Sequence, residues 1–554
     1  MARDRSTAEH LMEVLHDRGV RVAYGVHGAN IEDMYAAAQA VGICPVVAKH
    51  EFAAGAMADG TTRVTGRPGV VMTTSGGGAM NVVPALAEAY DSRVPVLALI
   101  GSAPTGLVGR GAFQDMLNPP DTIDLVALMA AVSGSCAVVS SPETMAAALA
   151  TAWHTLDRGL PAVLIVPKDV QAAPMAPGTP AHPDVPPEKY ATSPDDLLDA
   201  LAERLAATAT VPGRVCLWVG EQASWERLGT QIGELAETVG ATTVASPGGR
   251  DVGTPDDGFA GVTGVMGHPS AHVAIHRAEM VIAIGCRMSI TDRAGLDDAL
   301  HSTDLTSIGR HGARFDACAQ IVTDDLEHTI RMLTKLVGTK MSRSPGIPAV
   351  VVERLQVPHA HSSRPDSQAV IETIGAHLPP TCAVFADAGN AGAAALHHLP
   401  FSPEQRFTVA LGMGGMGHAI ASGVGNAVRC AVVDDRTRSI VIAGDGAFFM
   451  HGMEMHTAIE HDAPLTLIVL NNDAHGMCVT RDRLYFPEFP TVNRFRPSAI
   501  AAGLDAMFPG LVVRHAANVI ELGKSCAELF ASDGPNCLVI DVDPEELPPF
   551  APFL

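Results

Sequence analysis

Long apolar runs, closely spaced cysteines, an excess of positive charge and aromatic residues are all missing or scarce in this chain of 554 residues. No stretch is apolar enough to span a bilayer, and Met1 to His10 is polar, so neither a membrane helix nor a secretory leader is expected. The ten cysteines are scattered from Cys44 to Cys537 without a Cys-x-x-Cys, which argues against a cysteine-ligated metal centre or a disulfide framework. They read as small buried hydrophobes in a reducing cytoplasm, the expected location. Lys and Arg number 37 against 60 Asp and Glu, and the resulting net charge of −23 argues against nucleic acid or an anionic membrane as partner. Aromatic residues make up 4%, with tryptophan at Trp153, Trp218 and Trp225 only. No short repeat period occurs, which excludes a solenoid.

What is present is the composition of a well-packed globule, 47% hydrophobic, in a chain long enough for about three domains. Apolar strands alternate with amphipathic or alanine-rich helices, the pattern of an α/β protein whose parallel sheets are covered on both faces. Three doubly wound units are expected, over residues 1–172, 193–340 and 366–554. Strands of the first include Val22–Gly25, Gly69–Thr73, Val96–Ile100 and Ala162–Val166; the second includes Val215–Val219 and Met280–Gly285. The proline-rich run Ala172–Pro187 and the polar run Gly338–Asp366 read as linkers.

One motif in the third unit carries chemistry. Ile440–Ala443 reads as a buried strand, Gly444-Asp445-Gly446-Ala447 follows, Phe448–Glu460 reads as a helix, and Pro464–Leu470 reads as a second strand ending at Asn471-Asn472. A helix start after Gly-Asp-Gly offers unpaired backbone N–H groups to a phosphate. Asp445 and Asn472 emerge at the ends of two strands, where two hard oxygen ligands can hold Mg²⁺ or Ca²⁺ against that phosphate. Alone, Gly-Asp-Gly is also an ordinary turn. In the first unit, Glu51 stands between the short apolar strand Val46–Ala48 and a helix, Phe52–Arg63. It can simply favour the positive end of that helix, or serve as a catalytic acid at a strand-to-helix junction.

With Gly25-Val26-His27-Gly28-Ala29-Asn30 upstream, these motifs make the chain resemble the thiamine diphosphate (ThDP) enzymes over essentially its whole length, in their acetohydroxyacid (acetolactate) synthase and benzaldehyde lyase branch. The resemblance implies three domains, pyrimidine-binding, central Rossmann-like and diphosphate-binding. It also implies a homodimer or homotetramer with active sites between subunits. Glu51 would then promote the imino form of the cofactor's aminopyrimidine. Asp445, Asn472 and the Ala474 carbonyl would hold the metal. Gly389 and Asn390 would meet the diphosphate together with Gly444 and the backbone of Gly446 and Ala447, although Asn390 also suits a plain turn. In Leu411–Gly417, Met416 would prop the cofactor in its bent form, and the Gly414 carbonyl would accept from its 4′-amino group.

Substrate positions follow the same resemblance. Ser75, in Thr74–Asn81, and the pair Phe113-Gln114 match loops near the substrate, with Gln114 placed to bond the oxygen that becomes the product hydroxyl. His27 stands where the commoner family form has Pro; it either orients a carboxylate or shuttles a proton, or is structural. Benzaldehyde lyase-like enzymes have a second His where this chain has Asn30. Met477 matches the synthases, whereas Arg481 replaces a family Trp that selects the branched-chain precursor. Arg481 either meets a carboxylate or phosphate of the acceptor or is a solvated surface residue. The segment Gly285–Arg293 echoes part of a motif of the family's central domain, which binds FAD in acetohydroxyacid synthases and elsewhere holds FAD, an ADP group or nothing. The central unit itself has no Gly-x-Gly-x-x-Gly.

The implied activity is a carboligase. It decarboxylates a 2-oxo acid, pyruvate foremost, and transfers the acyl-anion equivalent to a carbonyl acceptor, giving an acyloin or acetolactate-type product in a specialised pathway. The His-His pair of pyruvate decarboxylases is absent near Gln114, which favours ligation over aldehyde release. The alternatives are a lyase cleaving acyloins or 2-hydroxyacyl compounds, an anabolic acetolactate synthase, and a catalytically silent partner subunit.

Overall fold

A computed structural model describes residues 5–176, 195–252, 258–358, 362–400 and 402–554. It contains three six-stranded sheets, every strand pair parallel. From edge to edge the first sheet runs Cys44–Val47, Val22–Val26, Gly69–Thr73, Val96–Ser102, Ala162–Pro167, Ser135–Val138. The middle sheet runs Ala319–Val322, Asp304–Gly309, Met280–Ile284, Val215–Val219, Thr242–Ala245, Phe259–Val262. The third runs Arg406–Val409, Cys382–Ala386, Arg438–Gly444, Leu465–Asn471, Asn536–Asp541, Val512–Ala516. The central strands are continuous apolar runs buried along their length, as strands covered on both faces must be.

Numbered within each sheet, the first and third share one order, 2-1-3-4-6-5, while the middle sheet has the Rossmann order 3-2-1-4-5-6 read from its opposite edge. In the 2-1-3-4 arrangement the winding reverses between strands 1 and 3, which opens a crevice at their carboxyl ends. The helices that follow strand 2 in the first and third sheets, Glu51–Thr65 and His418–Val432, pack directly on each other. The approach is close: a Cβ at Gly425 would lie 2.6 Å from Met57 Cα, Ser422 Oγ donates to the Ala56 carbonyl (2.9 Å), and Tyr24 Oη donates to the Gly425 carbonyl (2.8 Å). One hydrophobic core therefore runs from the first sheet into the third, from Val71 and Met57 through Val424 to Phe385 and Val441.

Local boundaries differ from expectation where tertiary contacts decide them. The helix expected over Phe448–Glu460 starts earlier, at Asp445, and is broken into Asp445–His451 and Met455–Glu460 by a 3₁₀ turn, Gly452–Glu454. At the turn Gly452 lies against the Phe448 ring, and buried Glu454 accepts from Lys49 N (2.9 Å) in the first unit. The helix Leu326–Lys340 continues past Gly338, where a linker was expected to begin. Of the other expected linker, residues 177–187 lie outside the described residues; ahead of them a helix covers Lys168–Ala172, and Ala173 and Met175 pair with Thr7 and Arg5. Among the described residues no helix is long and apolar enough to cross a membrane.

Candidate active site

The crevice of the third sheet is a half-open cleft. The end of its strand 1 contributes Gly389 and Asn390, and the end of strand 3 contributes Gly444 and Asp445. Gly444 caps the helix that Asp445 opens, so Asp445, Gly446 and Ala447 form a first helical turn with N–H groups lacking intrahelical partners. Asp445 Oδ2 and Asn472 Oδ1 both accept from the Ala474 N–H, at 3.2 and 3.1 Å, which brings the two expected metal ligands onto one point. Burial pushes the Asp445 carboxyl up to about 6, against the N–H donors of Gly446 and Ala474.

Met416, Ala474 and Met477 also line the cleft. Asn390 and Asn472 converge on Gly476, where a Cβ would lie 2.6 Å from Asn472 Nδ2 and 2.8 Å from Asn390 Nδ2. Buried Asn390 Oδ1 and His475 Nδ1 have no hydrogen-bond partner among the described residues. One carboxylate, one amide oxygen and a nearby backbone carbonyl form a hard-oxygen set for a magnesium-like cation, and the helix start suits a diphosphate. These residues fit ThDP with its metal. Gly414 is left-handed (φ +65°), with open space where a side chain would be.

The first sheet builds a different crevice. Glu51 opens helix Glu51–Thr65, is 9% exposed, and its Oε2 accepts from Asn81 Nδ2 (2.9 Å). Asn30, past the end of strand 1, donates from Nδ2 to Ser75 Oγ (2.8 Å), past the end of strand 3. Ser75 Oγ in turn reaches Gln114 Oε1 (3.4 Å), and Gln114 is held at φ +60°. His27 is exposed and meets Tyr35 edge-on at 4.7 Å, and Phe113 is 74% exposed.

The expected site residues thus fall into two groups within one chain, and no residue of the first sheet lines the third-sheet cleft. Arg481 belongs to neither group. It is exposed on helix Gly476–Tyr485, one turn beyond Met477. The expected FAD-like segment Gly285–Arg293 lines a separate cleft of about 1180 Å³ between the three units. There Arg287 and Arg314 both pair with Asp91 (3.3 and 3.2 Å), and Arg293 pairs with Asp297. Burial, reinforced by nearby Asp292, pushes the Glu221 carboxyl of the same cleft up to about 7.

Three residues that shape these sites were legible in sequence only as members of longer motifs, with no role of their own. Asn81 bonds Glu51, His475 lines the cleft, and Asp387, 1% exposed, accepts from the N–H groups of Gly417 (2.8 Å) and Ala419 (2.9 Å). Asp387 alone had a signal, a carboxylate directly after a fully apolar strand.

Three family models match the chain: the N-terminal TPP binding domain of thiamine pyrophosphate enzymes over residues 5–125, their central domain over 198–321, and their C-terminal TPP binding domain over 387–542. The chain belongs to the thiamine pyrophosphate (thiamine diphosphate) enzymes, in the acetolactate synthase-like branch. It is an enzyme that makes or breaks a carbon–carbon bond by ThDP-dependent 2-oxo acid chemistry on small molecules. It is similar to a probable 2-ketoarginine decarboxylase of Pseudomonas aeruginosa, 28% identical over 480 residues (85% of this chain, 83% of the relative). A probable acetolactate synthase large subunit of Methanocaldococcus jannaschii is 26% identical over 574 residues (98% and 93%). The acetolactate synthase isozyme 3 large subunit of Escherichia coli is 27% identical over 499 residues (85% and 83%).

Proposed function

We propose that the chain is a ThDP- and Mg²⁺-dependent carboligase that decarboxylates a 2-oxo acid, pyruvate foremost, and joins the remaining acyl unit to a carbonyl acceptor. The observation that carries this reading is the chain Asn30–Ser75–Gln114. Its amides and hydroxyl orient a substrate oxygen but hold no readily transferable proton, so the decarboxylated unit is kept for addition to a second carbonyl. Bound ThDP supplies the carbanion centre and the electron sink. Asp445, Asn472 and the Ala474 carbonyl hold the cation, Mg²⁺ or Ca²⁺. Gly389, Asn390, Gly444, Gly446 and Ala447 receive the diphosphate. The Gly414 carbonyl and Met416 orient the pyrimidine, while Glu51 holds a proton beside it. Phe113 and Met477 exclude water, and Arg481 receives a carboxylate or phosphate of the acceptor.

The reading includes domain limits at 1–172, 193–340 and 366–554, a reducing cytoplasm for ten free thiols, and a homodimer or homotetramer. Dimerisation is supported by the separation of the two residue groups, so that Glu51 of one copy completes the cleft of another. It is also supported by the exposed apolar side chains Phe449, Met450, Phe486 and Phe489 in the third unit and Met80 and Phe113 in the first. FAD is left out, because each of the four arginines lining the central cleft is already paired and Glu221 faces the same space.

The test is to incubate the protein with ThDP, Mg²⁺ and carbon-13-labelled pyruvate, with and without aldehydes, ketones and oxo acids, and to follow the label by NMR. Label in an acyloin or acetolactate-type product is expected; no turnover of pyruvate sinks the donor. A second reading, decarboxylation to a free aldehyde, is favoured by exposed His27 at the same crevice and by the 2-ketoarginine decarboxylase relative. Labelled aldehyde without ligated product would establish it.

A further inference from the structure

The loop Leu411–Gly417 is fastened at both ends by carboxylates, while Gly415 and Met416 between them make apolar contacts. Asp387 of the same unit holds its far end through Gly417 and Ala419. Its near end is held from another unit. Glu88, on helix Gly77–Ser92 of the first unit and 2% exposed, accepts the N–H of Gly412 on Oε1 (3.1 Å) and that of Met413 on Oε2 (2.5 Å). Between the two carboxylates lie Gly414 and Met416.

Glu88 is itself fixed. Ser92 Oγ donates to it at 2.6 Å and Arg63 Nη2 at 3.2 Å, while Arg63 Nε also bonds Asp59 (2.5 Å). Arg63 Nη1 donates to the carbonyl of Val409 (3.3 Å), so the same cluster grips the chain just before the loop as well. The fit is close: a Cβ at Gly412 would lie 2.8 Å from Ser92 Oγ and 3.1 Å from Glu88 Oε1. A buried carboxylate that accepts two consecutive backbone amides sets the direction of the chain there, which a generic apolar contact would not.

We propose that Glu88 is a positioning residue for the cofactor. From the first unit it sets where the Gly414 carbonyl and Met416 of the same chain meet the ThDP pyrimidine, so that cofactor affinity depends on this contact between units. The proposal rests on the cofactor roles given above to Gly414 and Met416. If Glu88 served only to neutralise Arg63, its loss would lower stability and leave cofactor affinity unchanged.

The experiment is calorimetric titration of ThDP, at saturating Mg²⁺, into the full-length apoprotein and four variants. Glu88→Gln is expected to raise the ThDP Kd about tenfold or more, the effect of losing charge-assisted hydrogen bonds. Met413→Pro removes one of the donated N–H groups from the loop side at a residue whose side chain is 57% exposed, and is expected to do the same. The double variant should be no weaker than the worse single, because both changes break one contact. Asp59→Asn weakens the same ion-pair cluster at Arg63 and beside His418, 3.4 Å away, but leaves both amide contacts of Glu88 in place, and should lower Tm while keeping Kd within about threefold. A Glu88→Gln Kd equal to that of wild type, additive losses in the double variant, or an Asp59→Asn Kd matching that of Glu88→Gln would each overturn the proposal. If Glu88→Gln does not fold, an unchanged Kd in Met413→Pro overturns it. Wild-type protein that binds no ThDP overturns the functional reading along with it, whereas normal wild-type binding with normal variant binding removes only the clamp.

Discussion

The first and third sheets have the same strand order, and each places an asparagine past the end of its first strand, yet the two asparagines are treated oppositely. Asn30 Nδ2 is satisfied by donating to Ser75, whereas Asn390 leaves a buried Oδ1 without a partner among the described residues. The same contrast runs through both crevices. The first is closed by side chains that bond one another, Asn30 to Ser75 and Asn81 to Glu51. The third is open, lined by helix-start N–H groups and by Asp445 and Asn472 gathered on a single amide. A parallel sheet wound this way supplies a crevice wherever its winding reverses. Whether the crevice binds or reacts is decided by the few residues after the strands.

The sharpest way to break that contrast is to disable each crevice separately. Asp445→Ala should abolish retention of metal and ThDP, with turnover falling about 10³-fold or more, as loss of an anchoring metal ligand does. Calorimetry on the folded variant checks it. Glu51→Gln should lower kcat by roughly 10²–10⁴-fold, the range for a lost acid–base group, while ThDP still binds. Mixing the two inactive variants under conditions of subunit exchange should restore part of the activity, since mixed dimers contain one complete site. No recovery would place both crevices in the same chain.

Next in size is the seam between the sheets. Gly425→Ala puts a methyl group against Met57 backbone and should cost about 1–3 kcal/mol, read from urea denaturation. The buried pair Arg63–Glu88 makes the seam acid-sensitive. Burial opposes ionisation of Glu88, but Arg63, His418, Ser92 and the Met413 amide outweigh it and hold the carboxyl down to about 2. A depressed folded-state value means stability fully present above the ordinary carboxyl range and lost as pH falls from about 4.5 towards 2. The stability gap between wild type and Glu88→Gln should therefore close across that window. Smallest is Arg481→Ala: the KM for a carboxylate-bearing acceptor should rise about tenfold or less, with unchanged stability, because the side chain is exposed and lies beyond the cleft.

Much of the fold was legible in sequence because buried parallel strands are continuous apolar runs, as in Leu465–Asn471. Strand order was not legible, since periodicity records which face is buried and not which strand lies alongside. The break at Gly452–Glu454 was hidden for a related reason: it depends on Phe448 packing and on an acceptor for Lys49 from another unit. At the site, Asp445 and Asn472 were visible because their spacing follows from a strand–helix–strand unit. Glu88 and His475 read as ordinary polar residues until distant backbone amides and the cleft itself come to lie against them.

Helix Glu51–Thr65 begins at the Glu51 carboxylate of one crevice, and near its other end Arg63 grips the chain leading into the loop of the other. Fifteen residues of helix span ~22 Å at ~1.5 Å per residue. The loop lies along this rod, from Arg63 at one end to Phe52 at the other, where a Cβ at Gly415 would lie 3.6 Å from the ring. Glu51 and the Met416 loop of one chain are thus held as one body; in the proposed dimer the two serve different reaction centres. A frame of fixed gauge cannot open one centre by swinging a whole domain without dragging on its neighbour. Admission of substrate and escape of product then fall to surface segments and side chains around each cleft, and the two centres share one rigid chassis.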